Sequence, residues 1–335
     1  MVVEVEQVPL FLAPMSGVTG LAYRLLTREC GADFTITEFT AAAALTRQDA
    51  KSWLKLESDE REKPFIPQIF GGNIDEMVKG CELLQEKADI IDLNFGCPAP
   101  VVTRHCAGAA LMGKPDELVN MVERCVEVSE VPVTVKMRLG TGNGLTNALE
   151  LAKRCEDVGA ERICVHGRTL RQRYSGEADW QAIAEIVRSV DIPVIANGDV
   201  VDAKSATDCL AITGAAGLMI GRAAIGRPTI FHQIKSDLGW DNSEPLWGGA
   251  EFSGEMEETM SARLWAWKRY IELDKEVSVG VSSKNRLRHA FAFTKGLPGG
   301  KAFRTQLHTN REAEQVSESV ENFLSNLVRN IHINQ

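Results

Sequence analysis

Cys97 is held between a glycine and a proline, in the stretch Asp92-Leu93-Asn94-Phe95-Gly96-Cys97-Pro98-Ala99-Pro100. Gly96 permits a sharp turn, and Pro98 fixes its own φ and biases Cys97 toward an extended backbone. The apolar run from Ala88 to Leu93 reads as a short buried strand. A thiol on so constrained a turn, just past a strand's C-terminal end, stands where α/β proteins place chemistry. A free Cys is most often a small buried hydrophobe, but the other seven cysteines lack this setting. Polar residues recur at the ends of the apolar runs: Pro14-Met15, Glu38, Gln68, Asn94 with Cys97, Lys136 with Arg138, His166 with Arg168, Asn197-Gly198-Asp199 and Gly221-Arg222. Singly, each has a plain explanation (a strand-end cation, a satisfied buried histidine, a turn). Polar groups at most of the strand ends, all directed at one mouth, are hard to explain as packing, because burying them costs energy unless they find partners.

The last two ends are more specific. Gly198, and Gly221 with Arg222, stand where barrels bind phosphate through loop amides. Glycines let the backbone approach an anion, and Arg222 can pair with it. A phosphate there, with Lys136 and Gln68 nearby, suits FMN, and Lys136 can stabilise negative charge near N1 of the reduced ring. No G-x-G-x-x-G occurs, so a stably bound NAD is not indicated.

The elements that must hold these residues follow a regular alternation. Apolar strands are predicted at Leu10–Ala13, Asp33–Thr37, Phe65–Phe70, Ala88–Leu93, Val131–Lys136, Arg162–His166, Ile192–Ala196 and Ala216–Ile220, with helical patterns between them. Eight strands alternating with helices argue for α/β architecture, a closed (β/α)8 TIM barrel. The alternation stops near Asp237, and Leu238–Gly254 reads as a linker. Beyond it the periodicity is helical. The expected division is a catalytic barrel at 1–238, a linker at 239–254 and a small helical domain at 255–335.

Composition bounds the class. The chain has 335 residues, 44% apolar and 25% charged, which are globular values. No apolar run reaches a membrane span of ~18–20 residues, and the acidic start is no signal peptide, so a soluble cytoplasmic protein is expected. Eight cysteines without a C-x-x-C pair argue against disulfides and against a metal site. The net charge is −9, yet eleven Lys and Arg face only three acids between Ser261 and Arg311. Such a basic island on an acidic chain is a candidate phosphate-binding face, with a solvated helical surface as the plainer alternative. Lys284, Arg286 and Arg288 are central to it.

The sequence resembles the tRNA-dihydrouridine synthase family in Ala13-Pro14-Met15-Ser16-Gly17-Val18-Thr19, Asn94–Pro100, Val133–Arg138, His166-Gly167-Arg168-Thr169, Tyr174–Trp180, Asn197-Gly198-Asp199 and Gly221-Arg222. These stretches come in the family's order. The resemblance implies an FMN-containing barrel that reduces the C5=C6 bond of specific uridines in tRNA, with NADPH or NADH as electron source and no obligatory protein partner. Carried over by position, Cys97 looks like the acid that protonates uracil C5. Asn94, Lys136, His166 and Arg168 look like residues around flavin and uracil. Pro14, Met15, Gln68, Asn197, Gly198, Asp199, Gly221 and Arg222 look like flavin contacts, which Lys136 and His166 share. Arg104-His105-Cys106 departs from the small residues usual in the family. The competing expectation is a flavin-dependent barrel acting on a small molecule, in the manner of dihydroorotate dehydrogenases or old yellow enzyme. That reading has no need of the basic tail. Removing 255–335 is expected to abolish tRNA binding while flavin stays bound.

Overall fold

Short apolar runs become strands where the sequence predicts them, and prolines set where several of them begin. In the computed structural model of the chain, residues 6–248, 255–277, 283–307 and 312–333 are described. The strands are β1 Leu10–Leu12, β2 Phe34–Thr35, β3 Thr40–Ala41, β4 Gln68–Phe70, β5 Ile91–Phe95, β6 Val133–Arg138, β7 Arg162–His166, β8 Val194–Asn197 and β9 Gly217–Ile220. Pro9, Pro67, Pro132 and Pro193 precede β1, β4, β6 and β8. Each lends its carbonyl to the first rungs of a neighbouring strand, to Leu218, Asp92, Ile91 and Ile163 respectively. None has an N–H to continue a ladder, so β4, β6 and β8 start later than the apolar runs suggest, while β1 starts at Leu10 as expected.

All pairs are parallel, in the order β2-β1-β9-β8-β7-β6-β5-β4-β3. β2 and β3 are two pieces of one stretch, interrupted at Ile36–Phe39, so the row returns to where it began and closes a (β/α)8 barrel. At the other end the strands run past their apolar runs. β5 reaches Phe95 and β6 reaches Arg138, because Asn94 pairs with Lys136 and Phe95 with Met137. Tertiary pairing here outweighs the polarity of Asn94 and Arg138.

Alternate residues of each strand point inward. Phe11, Ile36, Ile66, Cys164, Ile195 and Met219 form the apolar filling of the barrel. Phe11 stacks on Phe34 at 4.6 Å, and the Arg162 guanidinium lies 5.0 Å from the Phe11 ring centre. Above this layer the inward positions turn polar: Asp92 and Asn94 on β5, Thr134, Lys136 and Arg138 on β6, His166 on β7 and Asn197 on β8.

The chain forms two compact units, and their division differs from the expected one. Asp33–Gly221, with the residues up to Met15, make the first, and Ser16–Ala32 with the chain from Arg222 onward make the second. The second unit therefore includes the helix Leu21–Glu29 as well as the tail helices Glu255–Val277, Ser283–Phe293, Gly300–Leu307 and Ala313–Ile333. The physical reason is Tyr23. It is buried, with its ring 4.9 Å from His289 and 6.2 Å from Tyr270, and its hydroxyl donates to the Ala224 carbonyl and accepts from the Gly226 amide. Arg269 pairs with Glu29 at 2.7 Å.

The basic island is also less available than its charge count suggests. Arg286 is buried, paired with Asp274 at 2.5 Å and bonded to the Ser317 hydroxyl, so it is not a surface cation. Arg263 donates to the carbonyls of Phe293 and Lys295, and Arg304 to that of Thr294. Arg288 is exposed but donates to the Ser16 carbonyl. Lys275, Lys295 and Lys301 are exposed. Arg311 and the side chain of Lys284 lie outside the described residues. Among the described residues, no helix is long and apolar enough to cross a membrane.

Candidate active site

The Cys97 turn is held from three directions. Asn94 accepts at Oδ1 from the amides of Gly96 (3.0 Å) and Cys97 (2.9 Å), the usual way an Asn shapes the backbone just after itself. Arg138 Nε donates to the Gly96 carbonyl at 2.8 Å. The Ala109 amide donates to the Cys97 carbonyl at 3.1 Å. Beneath lies Gly108 at φ +58°, where an added Cβ would come within 2.9 Å of the Cys97 carbonyl oxygen. Gly108 is thus the seat of the turn. Cys97 packs with Val102, Ala107, Phe39 and Phe70 and is 7% exposed. Burial raises its thiol pKa, against the Ala99 amide and the charges of Arg138 and Lys136. The thiol therefore stays protonated at neutral pH.

Lys136 sits beside this turn, 9% exposed. Its ammonium donates to Asn197 Oδ1 at 3.1 Å, and Asn197 Nδ2 donates in turn to the Met219 carbonyl at 2.7 Å. Burial lowers the lysine pKa. One of its three donors is spent. Gln68, fully buried, accepts at Oε1 from Asn94 Nδ2 and donates from Nε2 to Asp92, both at 2.6 Å. His166 is buried and pairs in register with Arg138 on one side and Asn197 on the other. The structure therefore brings Asn94, Cys97, Lys136, Gln68, His166 and Asn197 to one mouth of the barrel.

Arg168 and Asp199 hold each other. Arg168 Nη2 reaches Asp199 Oδ2 at 2.6 Å and the Gly176 carbonyl at 2.6 Å, and Asp199 Oδ2 also accepts from the Ala178 amide at 2.7 Å. Asp199 is left-handed, at φ +59°. Trp180 Nε1 donates to the Gly198 carbonyl at 3.0 Å. These bonds explain the Tyr174–Trp180 motif as a strap on the Gly198-Asp199 loop. Gly198, at φ +123°, could carry no Cβ, which would lie 2.8 Å from Ala178 Cβ and 3.1 Å from the His166 ring. The buried Nη1 of Arg168 has no hydrogen-bond partner. At Gly221 an added Cβ would meet only Ala13, at an ordinary 3.5 Å. Met15 is half-buried against the barrel filling, and Pro14 is half-buried beside it in the chain. Arg222 is exposed and opens the 3-10 turn Arg222–Ala224 of the second compact unit.

Asp92, Gly108 and the loop-holding role of Arg138 were not identified from the sequence. Asp92 in a strand, two residues before Asn94, was the available signal. Arg104-His105-Cys106 ends the short helix Pro100–Thr103, with Cys106 exposed at φ +50°, and the His105 carbonyl lies close over Gly72.

A family model described as dihydrouridine synthase matches residues 11–331. The chain is 38% identical over 267 residues to a probable tRNA-dihydrouridine synthase of Rhodobacter capsulatus, covering 79% of this chain and 82% of the relative. It is 36% identical over 318 residues to tRNA-dihydrouridine synthase B of Pseudomonas syringae, covering 94% and 91%. It is 33% identical over 317 residues to the protein of that name from Pseudomonas aeruginosa, covering 94% and 92%.

Proposed function

The chain belongs to the dihydrouridine synthase family, and from that premise we propose that it reduces the C5–C6 double bond of uridines in tRNA, with FMN as its cofactor and NADPH or NADH as reductant. The observation that carries this reading is a buried thiol at Cys97 beside the buried, Asn197-bonded side chain of Lys136 in one barrel mouth. Bound FMN would supply hydride to the double bond.

The residues present fit such a group. Lys136 keeps two N–H donors beyond the one given to Asn197, and they suit the carbonyl edge of a flavin or a uracil. Arg168 Nη1 is a buried donor without an acceptor in the protein, and a ligand oxygen would satisfy it. Packing does not demand glycine at Gly221, whereas close approach of a phosphate to the backbone would. We assign Gly198, Asp199, Gly221 and Arg222 to the phosphate side, and Pro14, Met15, Gln68 and Asn197 to the ring side.

As the double bond is reduced, charge builds on the uracil carbonyl oxygens. Asn94, His166 and Lys136 are the donors that stabilise it, in a site dry enough for each bond to count. Cys97 then gives its proton to C5. The uridine has to leave its stack to enter, which single-stranded positions allow most cheaply. Residues 255–335 hold the RNA backbone, with Lys275, Lys295 and Lys301 among the exposed cations. A cytoplasmic setting goes with this substrate.

The test is direct. Unmodified tRNA incubated with the flavin-loaded protein and NADPH should gain dihydrouridine, read by mass spectrometry of the nucleosides. NADPH consumed with no dihydrouridine formed would overturn the proposal.

A further inference from the structure

Thr134, Asp92, Gln68 and Asn94 form one hydrogen-bonded row inside the barrel, each 5% exposed or less. The row ends at the amides of Gly96 and Cys97. Every bond from the turn inward has the same sense. The two amides donate to Asn94 Oδ1, Asn94 Nδ2 donates to Gln68 Oε1, and Gln68 Nε2 donates to Asp92 Oδ2. At the far end the Thr134 hydroxyl closes on Asp92 Oδ1 at 2.5 Å.

A primary amide donates at one end and accepts at the other, so the row has a direction. Turning both amides over would aim Asn94 Nδ2 at two backbone N–H groups and Gln68 Oε1 at a carboxylate. The direction therefore requires an acceptor where the row ends, and Asp92 is that acceptor. Asp92 lies two residues below Asn94 on β5, about 6–7 Å deeper, so it acts on the mouth only through the others.

We propose that Asp92 is a positioning residue for the reaction: by accepting from Gln68 it fixes the orientation of Asn94, and through Asn94 the turn that presents the Cys97 thiol. The proposal rests on the reading of Cys97 as proton donor. It adds that the thiol's placement is set by a group that touches neither substrate nor cofactor.

The test uses full-length protein carrying Cys106→Ala, which removes the exposed thiol. Alkylation of Cys97 by iodoacetamide, followed by peptide mass spectrometry, reports the turn without reference to activity. Asp92→Leu should speed this alkylation and slow the oxidation of reduced enzyme by tRNA, each by about tenfold, the scale of removing one buried hydrogen bond. Reduction of the enzyme by NADPH should change little. Asp92→Asn should restore both rates, because its Oδ1 can accept from Gln68 while its Nδ2 donates to the Thr134 oxygen. A merely structural role would lower the melting temperature and leave alkylation of the folded protein unchanged. Normal alkylation and a normal tRNA step in Asp92→Leu overturn the proposal, and so does an Asp92→Asn protein as impaired as Asp92→Leu. If Asp92→Leu does not fold, Gln68→Met breaks the row one step nearer the turn. It must then speed alkylation by the same factor, and unchanged alkylation overturns the proposal. Should the parent protein form no dihydrouridine at all, the functional reading fails while the alkylation series still decides the role of Asp92.

Discussion

Burial decides what Cys97 can do. A thiol pushed above its ordinary range is a poor nucleophile at neutral pH and a serviceable acid. Cys97→Ala is expected to leave flavin reduction by NADPH near normal and to slow electron transfer to tRNA by ~10²–10⁴-fold, with Cys106→Ala much milder. Stopped-flow comparison of the two half-reactions checks this. The proton-donating form is lost as pH rises through the thiol's pKa. The tRNA step should therefore hold steady through neutral pH and decline only above the ordinary thiol value of ~8.5. A decline beginning below pH 7 would point to a different acid. Cys97 and Lys136 were legible in the sequence because their setting is local, a turn and a strand end. The roles of Asp92 and Arg138 were not, because the acceptors and donors that define them lie elsewhere in the chain. Arg138 is bonded to the carbonyls of Gly96, Thr169 and Arg173, and nothing in its own neighbourhood names those partners.

Among the elements, the tail helices show how far counting charges can go. Arg286 belongs to a core ion pair, so Arg286→Ala should destabilise the fold by ~3–5 kcal/mol, the cost of breaking a buried pair. The salt dependence of RNA binding by the folded protein should be unchanged. Replacing Lys295 and Lys301 by Gln should instead leave stability alone and flatten the salt dependence by about one unit of slope for each phosphate no longer neutralised. Thermal melts and binding titrations across a salt series separate the two outcomes. The helix Ser283–Phe293 also carries a buried histidine. Burial first, then the charges of Arg288 and Arg286, push His289 down to about 3. Folding keeps it neutral, whereas the unfolded chain protonates it near ~6.5. Its contribution to stability is thus complete above that value and is lost as pH falls toward 3. Acid melts of His289→Gln should show a weaker dependence over that window. Helical periodicity was readable in this region. Which of its cations cap helices was not, since the carbonyls capped by Arg263 and Arg304 lie 30 and 10 residues away along the chain.

At the scale of the whole molecule, the barrel was readable because a βα unit repeats locally, and prolines only trimmed where its strands begin. The division into compact units was not readable, because it joins the start of the chain to its end. The sequence suggests a tail that can be cut away. The structure buries Tyr23 among His289, Tyr270 and Phe293, so a chain ending at residue 254 should lose solubility and cooperative melting. A soluble truncated protein with a single sharp thermal transition would show the tail to be dispensable to the fold. The same feature bears on how the protein is made. Tyr23 leaves the ribosome 201 residues before Ala224, whose carbonyl it will bond, and earlier still than His289. At ~5–20 residues per second, the helix Leu21–Glu29 waits about 10–40 s with its apolar face unclaimed. During that interval it is a surface that chaperones can hold, and slowing translation would lengthen the exposure.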